Sequence, residues 1–188
     1  MKIQTYWVLL SITSAMLCGC ATTPAAPEFL SAPNTCSVLS GGSGMVFPDN
    51  AMNDRWFKIN SVVSNNVGDE LEARGYRISR QIVDIRDNQS RLNAVSDEML
   101  RTKCNKVVQI SNSLSGESAI PNVAAYFEFT VNVLSVEPGS ITLKSDYQKV
   151  YRYPLTKEVM ETLSMRDVAK QIGIDLDASH VINKSQTQ

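Results

Sequence analysis

Cysteine is the residue type in this chain of 188 residues whose chemistry depends most on its neighbours, and there are four cysteines. Cys18 and Cys20 are one residue apart at the end of an apolar run, while Cys36 and Cys104 stand alone further along the chain. A pair this close could exchange disulfides, bind a metal or carry a covalent modification. A structural zinc site needs four ligands, and His180 is the only histidine available to join the cysteines. The sequence therefore predicts no metal site.

The start of the chain has the order of an export signal. Lys2 precedes an apolar segment at residues 6–17, which is too short to span a bilayer, and small residues follow. The stretch Leu17-Cys18-Gly19-Cys20 resembles a bacterial lipobox, in which a leucine stands three residues before the cysteine that receives lipid. The resemblance implies a lipoprotein signal peptide at 1–19, cleavage directly before Cys20 and acylation of that cysteine.

Acyl chains on Cys20 would hold the protein at a membrane. Because each buried methylene contributes about 0.8 kcal/mol, one chain binds marginally, whereas the three chains of a mature lipoprotein anchor it firmly. In such lipoproteins an aspartate after the lipidated cysteine favours the inner membrane, and here Ala21 follows. The resemblance thus implies palmitate on Cys20 and a place at the outer membrane, facing the periplasm. The alternative is ordinary cleavage near Ala21 or Ala26, which would leave a soluble periplasmic protein.

The other two cysteines, Cys36 and Cys104, form an even pair in a compartment that would be oxidising. A disulfide between them is favoured, and on the chain-entropy model it would stabilise the fold by up to about 4 kcal/mol. The alternative is two free thiols, with Cys104 as a small buried residue on a helix.

No residue pattern predicts catalysis. His180 lies near a polar tail and the chain has no G-x-S-x-G elbow, so a serine or cysteine triad has no base. The acidic pairs Asp84 with Asp87 and Asp175 with Asp177 stand among charged or helical residues, as carboxylates of a solvated face do. Because no cofactor motif is present either, the sequence predicts a protein that is not an enzyme and has no cofactor.

The charge balance argues against nucleic acid as a partner. The chain has 18 Lys and Arg against 19 Asp and Glu. Without residues 1–19, which hold one cation, the balance is 17 minus 19, a net charge of −2 with histidine neutral. Nucleic-acid binders usually carry a basic excess.

The elements that would position these residues form one domain. Three prolines between 21 and 34 and the glycine cluster SGGSG at 40–44 predict a flexible, lipid-anchored tether over residues 20–43. From 44 to 182, alternating strands and amphipathic helices follow one another, and 183–188 is a polar tail. This order predicts an α+β fold, a two-layer sandwich with one mixed or antiparallel sheet and helices mainly on one face.

The strongest hairpin signal lies in "NVAAYFEFTVNVLSV", followed by a turn at "EPGS" and a returning strand. The expected register places Glu128 opposite Lys149, a favourable cross-strand pair. It also places four tyrosines on the face opposite Phe127 and Phe129, namely Tyr126, Tyr147, Tyr151 and Tyr153. These tyrosines are either the half-buried second side of the sheet or a surface for a partner or ligand.

The layout of residues 45–181 resembles that of small envelope lipoproteins with an anticodon-binding-like α+β sandwich, such as LptE, PelC and the amino-terminal domain of TolB. The resemblance implies a non-catalytic accessory role in an envelope assembly. We therefore expect an interaction or assembly module with an envelope protein as partner. The alternative is a carrier or binder of an envelope lipid or glycan, which an enclosed apolar pocket of several hundred Å³ would favour. A periplasmic hydrolase is a more distant alternative.

Overall fold

The fold is built on one mixed β-sheet. The computed structural model describes residues 36–43, 46–84, 88–115, 125–136 and 143–184. In chain order the elements are β1 (Ser37–Ser43), α1 (Asn50–Ala73), β2 (Ile78–Ile82), α2 (Asn88–Thr102), β3 (Lys106–Ser115), β4 (Tyr126–Val136), β5 (Leu143–Pro154), α3 (Lys157–Thr162) and α4 (Met165–Ser179). The predicted α+β class with a mixed sheet is confirmed.

Several predicted features fall outside the described residues. The signal peptide at 1–19, the lipidated Cys20 and the "EPGS" turn are among them, so they remain predictions. Of the predicted tail at 183–188, Asn183 and Lys184 are described. Among the helices described, we find none whose length and hydropathy would allow it to cross a bilayer.

The sheet has the strand order β2-β1-β3-β4-β5. β1 pairs in parallel with both β2 and β3, whereas the β3–β4 and β4–β5 pairs are antiparallel. The chain moves from β1 to β2 through α1 and returns to β3 through α2, so right-handed crossovers place these two helices on opposite faces. Since α4 packs beside α1, we call their side the helix-covered face and the side of α2 the opposite face.

Two hydrophobic cores lie on the two faces of the sheet. The larger core, on the helix-covered face, includes Leu39, Val63, Val67, Leu71, Val108, Ile110, Phe129, Val131, Ile172 and Leu176. The smaller core joins β1 and β3 to α2 and consists of Cys36, Val38, Val95, Met99, Cys104 and Val107. Val38 and Leu39 point into different cores because side chains alternate along a strand. β1 is therefore buried on both faces, as parallel strands usually are.

The predicted tether over residues 20–43 is wrong at its end, because residues 37–43 form a central strand. The glycines there do not provide flexibility. A Cβ atom at Gly41 would lie 2.7 Å from Ser64 Oγ and 2.8 Å from Asn60 Oδ1, so glycine lets α1 pack closely on β1. The domain thus begins at or before Cys36 instead of at residue 44.

The hairpin register also differs from the prediction. Glu128 lies opposite Arg152 instead of Lys149, a shift of 152 minus 149, or three residues. Because side chains alternate along a strand, this odd shift moves the side chains of residues 147–154 to the other face. The strands also change register between Val133 and Leu134, where the pairing skips Asp146.

Candidate functional site

The predicted disulfide between Cys36 and Cys104 is confirmed, with Cα atoms 4.9 Å apart. It joins the start of β1 to the turn between α2 and β3. Both cysteines are buried in the smaller core beside Val38 and Met99. Its position inside an apolar cluster makes the bridge a structural link between two neighbouring strands.

The predicted face of four tyrosines is wrong. Tyr147, Tyr151 and Tyr153 lie opposite Val133, Phe129 and Phe127 respectively, so all three point to the helix-covered face. Tyr126 pairs with Pro154 across the strands, and its side chain points to the face of the sheet on which α2 lies. The cause is the odd register shift of β5. The tyrosines of β5 therefore belong to the larger core or pack against it.

Asp175 on α4 fixes the position of Tyr151. The Tyr151 hydroxyl donates to Asp175 Oδ2 at 2.8 Å, and Lys149 Nζ donates to the same oxygen at 2.7 Å. Gln171 Nε2 donates to the other oxygen at 3.1 Å. Burial acts to raise the pKa of Asp175, but these hydrogen bonds outweigh it and hold the pKa below its usual range. Burial, and then the bond to Asp175, raises the pKa of Tyr151, so the contact joins a neutral phenol to a carboxylate.

Replacing Asp175 with asparagine tests this contact through its pH dependence. An aspartate in the unfolded chain has a pKa near 3.9, and the pKa of Asp175 in the folded chain is lower. The ionised carboxylate therefore contributes its full stabilisation at pH values above the unfolded pKa. That stability is lost as the pH falls through the folded pKa. We expect Asp175→Asn to lower the free energy of unfolding by about 1 kcal/mol near pH 7 and by a smaller amount near pH 2. Urea denaturation at both pH values measures the difference, and equal losses would contradict an ionised Asp175.

Asp177 and His180 also have structural roles at the end of α4. The Tyr76 hydroxyl donates to Asp177 Oδ1 at 2.7 Å, and Lys184 Nζ lies 2.9 Å from the same oxygen. These hydrogen bonds hold the pKa of Asp177 below its usual range. His180 ends the helix in the left-handed conformation, with a φ of 55°. Neither residue is placed as a catalytic acid or base by these contacts.

The other acidic pair, Asp84 with Asp87, is only half within the described residues. Asp84 follows β2, and Asp87 lies outside the described part. Among the described residues, no group of three or more His, Cys, Asp or Glu could hold a metal ion. That the chain is not an enzyme remains a prediction.

A broad polar surface lies on the opposite face of β3, β4 and β5, and we call it the open sheet face. Its side chains are Gln109, Ser111, Ser113, Ser115, Tyr126, Glu128, Thr130, Asn132, Gln148, Val150 and Arg152. The helix described on this side, α2, packs against β1 and β2. Apart from Glu128, the side chains of the open sheet face are half-buried or exposed. They are mostly amides and hydroxyls, which both donate and accept hydrogen bonds.

A charged pair lies within the open sheet face. Glu128 is 7% exposed and accepts hydrogen bonds from Ser115 Oγ and, at 2.6 Å, from Arg152 Nε. The guanidinium of Arg152 neutralises the buried carboxylate and itself remains largely exposed. The predicted register hid this pair because it matched Glu128 with Lys149. The alternation Phe127-Glu128-Phe129 was the signal that Glu128 faces away from the larger core.

A second surface feature, the α1–α4 groove, lies on the helix-covered side. Its deep part is a cavity of about 80 Å³ lined by Trp56, Ile59, Phe127, Leu155, Leu163 and Met165. Ile59 and Met165 also line a wider, open part, together with Arg55, Lys58 and Val62. The Trp56 ring stacks edge-on between Phe47 and Phe127, with centroid distances of 5.4 and 5.1 Å. The deep cavity is far smaller than the several hundred Å³ expected of an enclosed carrier pocket, and the wider part, of about 380 Å³, is open to the surface.

No protein-family model matches this chain, and no curated protein matches it. A PelC dodecamer from Paraburkholderia phytofirmans aligns with a TM-score of 0.40 and 10% identity, over 77% of this chain and 87% of that chain. A putative neuraminyllactose-binding hemagglutinin homolog from Helicobacter pylori aligns with a TM-score of 0.40 and 12% identity, over 78% and 86%. A minor lipoprotein from Acinetobacter baumannii aligns with a TM-score of 0.32 and 11% identity, over 81% and 98%. At these identities and TM-scores the similarities assign this chain to no family.

Proposed function

We propose that this chain is a non-catalytic, lipid-anchored envelope protein that faces the periplasm and serves as an interaction module for another envelope protein. The observation that carries the proposal is the open sheet face. Three adjacent strands present half-exposed amides and hydroxyls there, and no described helix covers them. Such groups can form the hydrogen bonds that a specific protein interface contains.

The scaffold under this face is rigid. Val108, Ile110, Phe129 and Val131 alternate with the surface residues of β3 and β4 and are fully buried in the larger core. Arg152 adds an exposed guanidinium, and arginine is enriched in protein interfaces. A preformed surface loses little conformational freedom on binding, which favours a specific partner.

The partner is expected to dock on the face of the sheet and not on its edge. β5, the one of the two edge strands that belongs to the open sheet face, has 12 residues. It carries Lys144, Asp146 and Lys149, and charged side chains on an edge strand oppose pairing with another strand. The side chains at the centre of the open sheet face are uncharged, because Thr130 lies there between Ser111 and Val150.

Photo-crosslinking tests the docking surface. A photoreactive residue at Thr130 or at Val150 is expected to capture one envelope protein in living cells, whereas the same residue at Lys170, exposed on α4, is not. Introducing Ser111→Glu next to the probe is expected to reduce capture at least tenfold, since it places an unpaired charge in the interface. Equal capture at Lys170, or capture that Ser111→Glu leaves unchanged, would contradict the proposal. Binding of the purified chain to an envelope glycan with no protein captured would favour the alternative function.

The lipid anchor has a separate test. Cells grown with a palmitate analogue are expected to label the wild-type chain and the Cys18→Ala variant, but not Cys20→Ala. The labelled chain is expected in the outer-membrane fraction. Persistent label in Cys20→Ala would show that the lipobox assignment is wrong, and an unlabelled wild-type chain in the soluble fraction would support ordinary signal cleavage.

A further inference from the structure

We propose that the α1–α4 groove rests on the surface of an anionic phospholipid bilayer. Its exposed apolar side chains are the first evidence. Met52, Val62 and Leu155 are 45%, 42% and 37% exposed, although each is large and apolar. On α1, Met52 lies about two turns before Ile59 and Val62 about one turn after it. Ile59 packs partly against the larger core and lines both the cavity at Trp56 and the open part. Exposed apolar patches of this kind mark contact sites for proteins or membranes.

Two cations stand among these apolar side chains and give the groove its charge preference. Arg55 and Lys58 line its open part and are exposed. The exposed Asp54 adjoins Arg55, so these three residues leave one net positive charge at this end of α1. Asp69 and Glu72 lie about three to five turns further along the helix and form ion pairs with Arg80. Apolar side chains flanked by cations match the boundary of a bilayer, where acyl chains lie beneath anionic headgroups.

The shape of the groove favours a membrane surface over a single enclosed lipid. The deep cavity of about 80 Å³ could take only a small part of a lipid. The open part presents Val62 outward, where it would not contact a lipid bound in the deep cavity, and the exposed Met52 lies outside the lining of both parts. A bilayer surface can accept all of these side chains at once because it extends beyond the groove.

The proposed lipid anchor allows this orientation. Ser43, at the end of β1, pairs with Asn112, and Asn112 Nδ2 donates a hydrogen bond to the Trp56 carbonyl. The groove therefore lies near the end of β1, whereas Cys36 lies at its start. The 16 residues from Cys20 to Cys36 (36 minus 20) can span roughly 55 Å when extended, whereas β1 is about 23 Å long. A chain anchored at Cys20 can therefore reach a membrane under the groove. The open sheet face, on the other side of the sheet, would then point into the periplasm.

Vesicle binding tests the groove independently of the anchor. The probe is the chain from residue 20 onward with Cys20→Ala, which keeps every described residue and has no lipid. We expect it to sediment with vesicles of phosphatidylcholine and phosphatidylglycerol, and not with phosphatidylcholine alone. The double variant Arg55→Gln, Lys58→Gln is expected to bind about 25-fold more weakly, about fivefold for each cation. Binding should also weaken as salt rises.

Matched control variants distinguish vesicle binding through the groove from binding that depends only on the number of exposed cations and apolar side chains. Arg77→Gln with Lys144→Gln removes two exposed cations elsewhere and should not weaken binding. Val62→Ser should weaken vesicle binding several-fold. Val150→Ser should not weaken it, although Val150 is 40% exposed and Val62 42% exposed. No preference for phosphatidylglycerol, or equal losses in the control variants, would overturn the proposal. Because the probe cannot be acylated, failure here would leave the anchor and the interaction function intact.

Discussion

Replacing both bridge cysteines, as Cys36→Ala with Cys104→Ala, is expected to lower the free energy of unfolding by about 4 kcal/mol. The two residues are 68 positions apart, so the bridge closes a long loop and removes many conformations from the unfolded chain. Domains of this size are usually stable by 5 to 15 kcal/mol, so the loss is a large fraction of the total. Urea denaturation of the full chain under non-reducing conditions, with and without the substitutions, measures it.

Reduction of the wild-type protein provides the control. Unfolding in the presence of a strong thiol reductant should shift the wild-type curve to that of the double variant and leave the variant unchanged. Each single variant should lower the free energy of unfolding about as much as the double variant, because either substitution abolishes the bridge. A loss under about 1 kcal/mol would show that the unfolded chain gains little freedom without the bridge.

The second large effect is expected at Gly41. A Cβ atom there would lie 2.7 Å from Ser64 Oγ and 2.8 Å from Asn60 Oδ1. These groups cannot move freely, because Ser64 donates to Asn60, which donates in turn to the Ile110 carbonyl at 3.1 Å. Gly41→Ala must therefore displace α1 or break a buried hydrogen bond. We expect it to lower the free energy of unfolding by about 2 to 3 kcal/mol, measured by urea denaturation.

The neighbouring glycine is a matched control. A Cβ atom at Gly42 would meet Arg91 Nη1 at 2.7 Å, but this is the far end of a flexible side chain that can move aside. Gly42→Ala is therefore expected to cost less than about 1 kcal/mol. If both substitutions had the same small effect, close packing of α1 on β1 would not be the reason for glycine at position 41.

The sequence allowed the fold class and the disulfide to be predicted because both rest on local patterns or simple counts. Helical stripes such as Val63, Val67 and Leu71 and the alternation of Phe127 and Phe129 mark the larger core directly. The even pair of cysteines outside the predicted signal left one pairing to consider.

The missed features depend on distant parts of the chain. The sequence of β1 resembles a linker because its glycines and serines show no apolar alternation, and the reason for Gly41 becomes visible only in the packing of α1 on β1. The register of β5 at Tyr151 depends on the irregularity between Val133 and Leu134, where the skipped Asp146 turns a shift of two residues into a shift of three and so changes the face of Tyr151. The open sheet face could not be found while that register placed Arg152 on the other side.

The central position of β1 has a consequence for how the chain folds. Ser37 pairs with Lys106, so β1, the first strand of the described residues, can form both of its ladders only when a neighbour 69 residues later (106 minus 37) is in place. The strands from β3 to β5 pair with their sequence neighbours and can assemble sooner. Pairing of β1 with β3 is thus the step that closes the longest loop. We expect the rate of this pairing to limit how fast the chain reaches its native state.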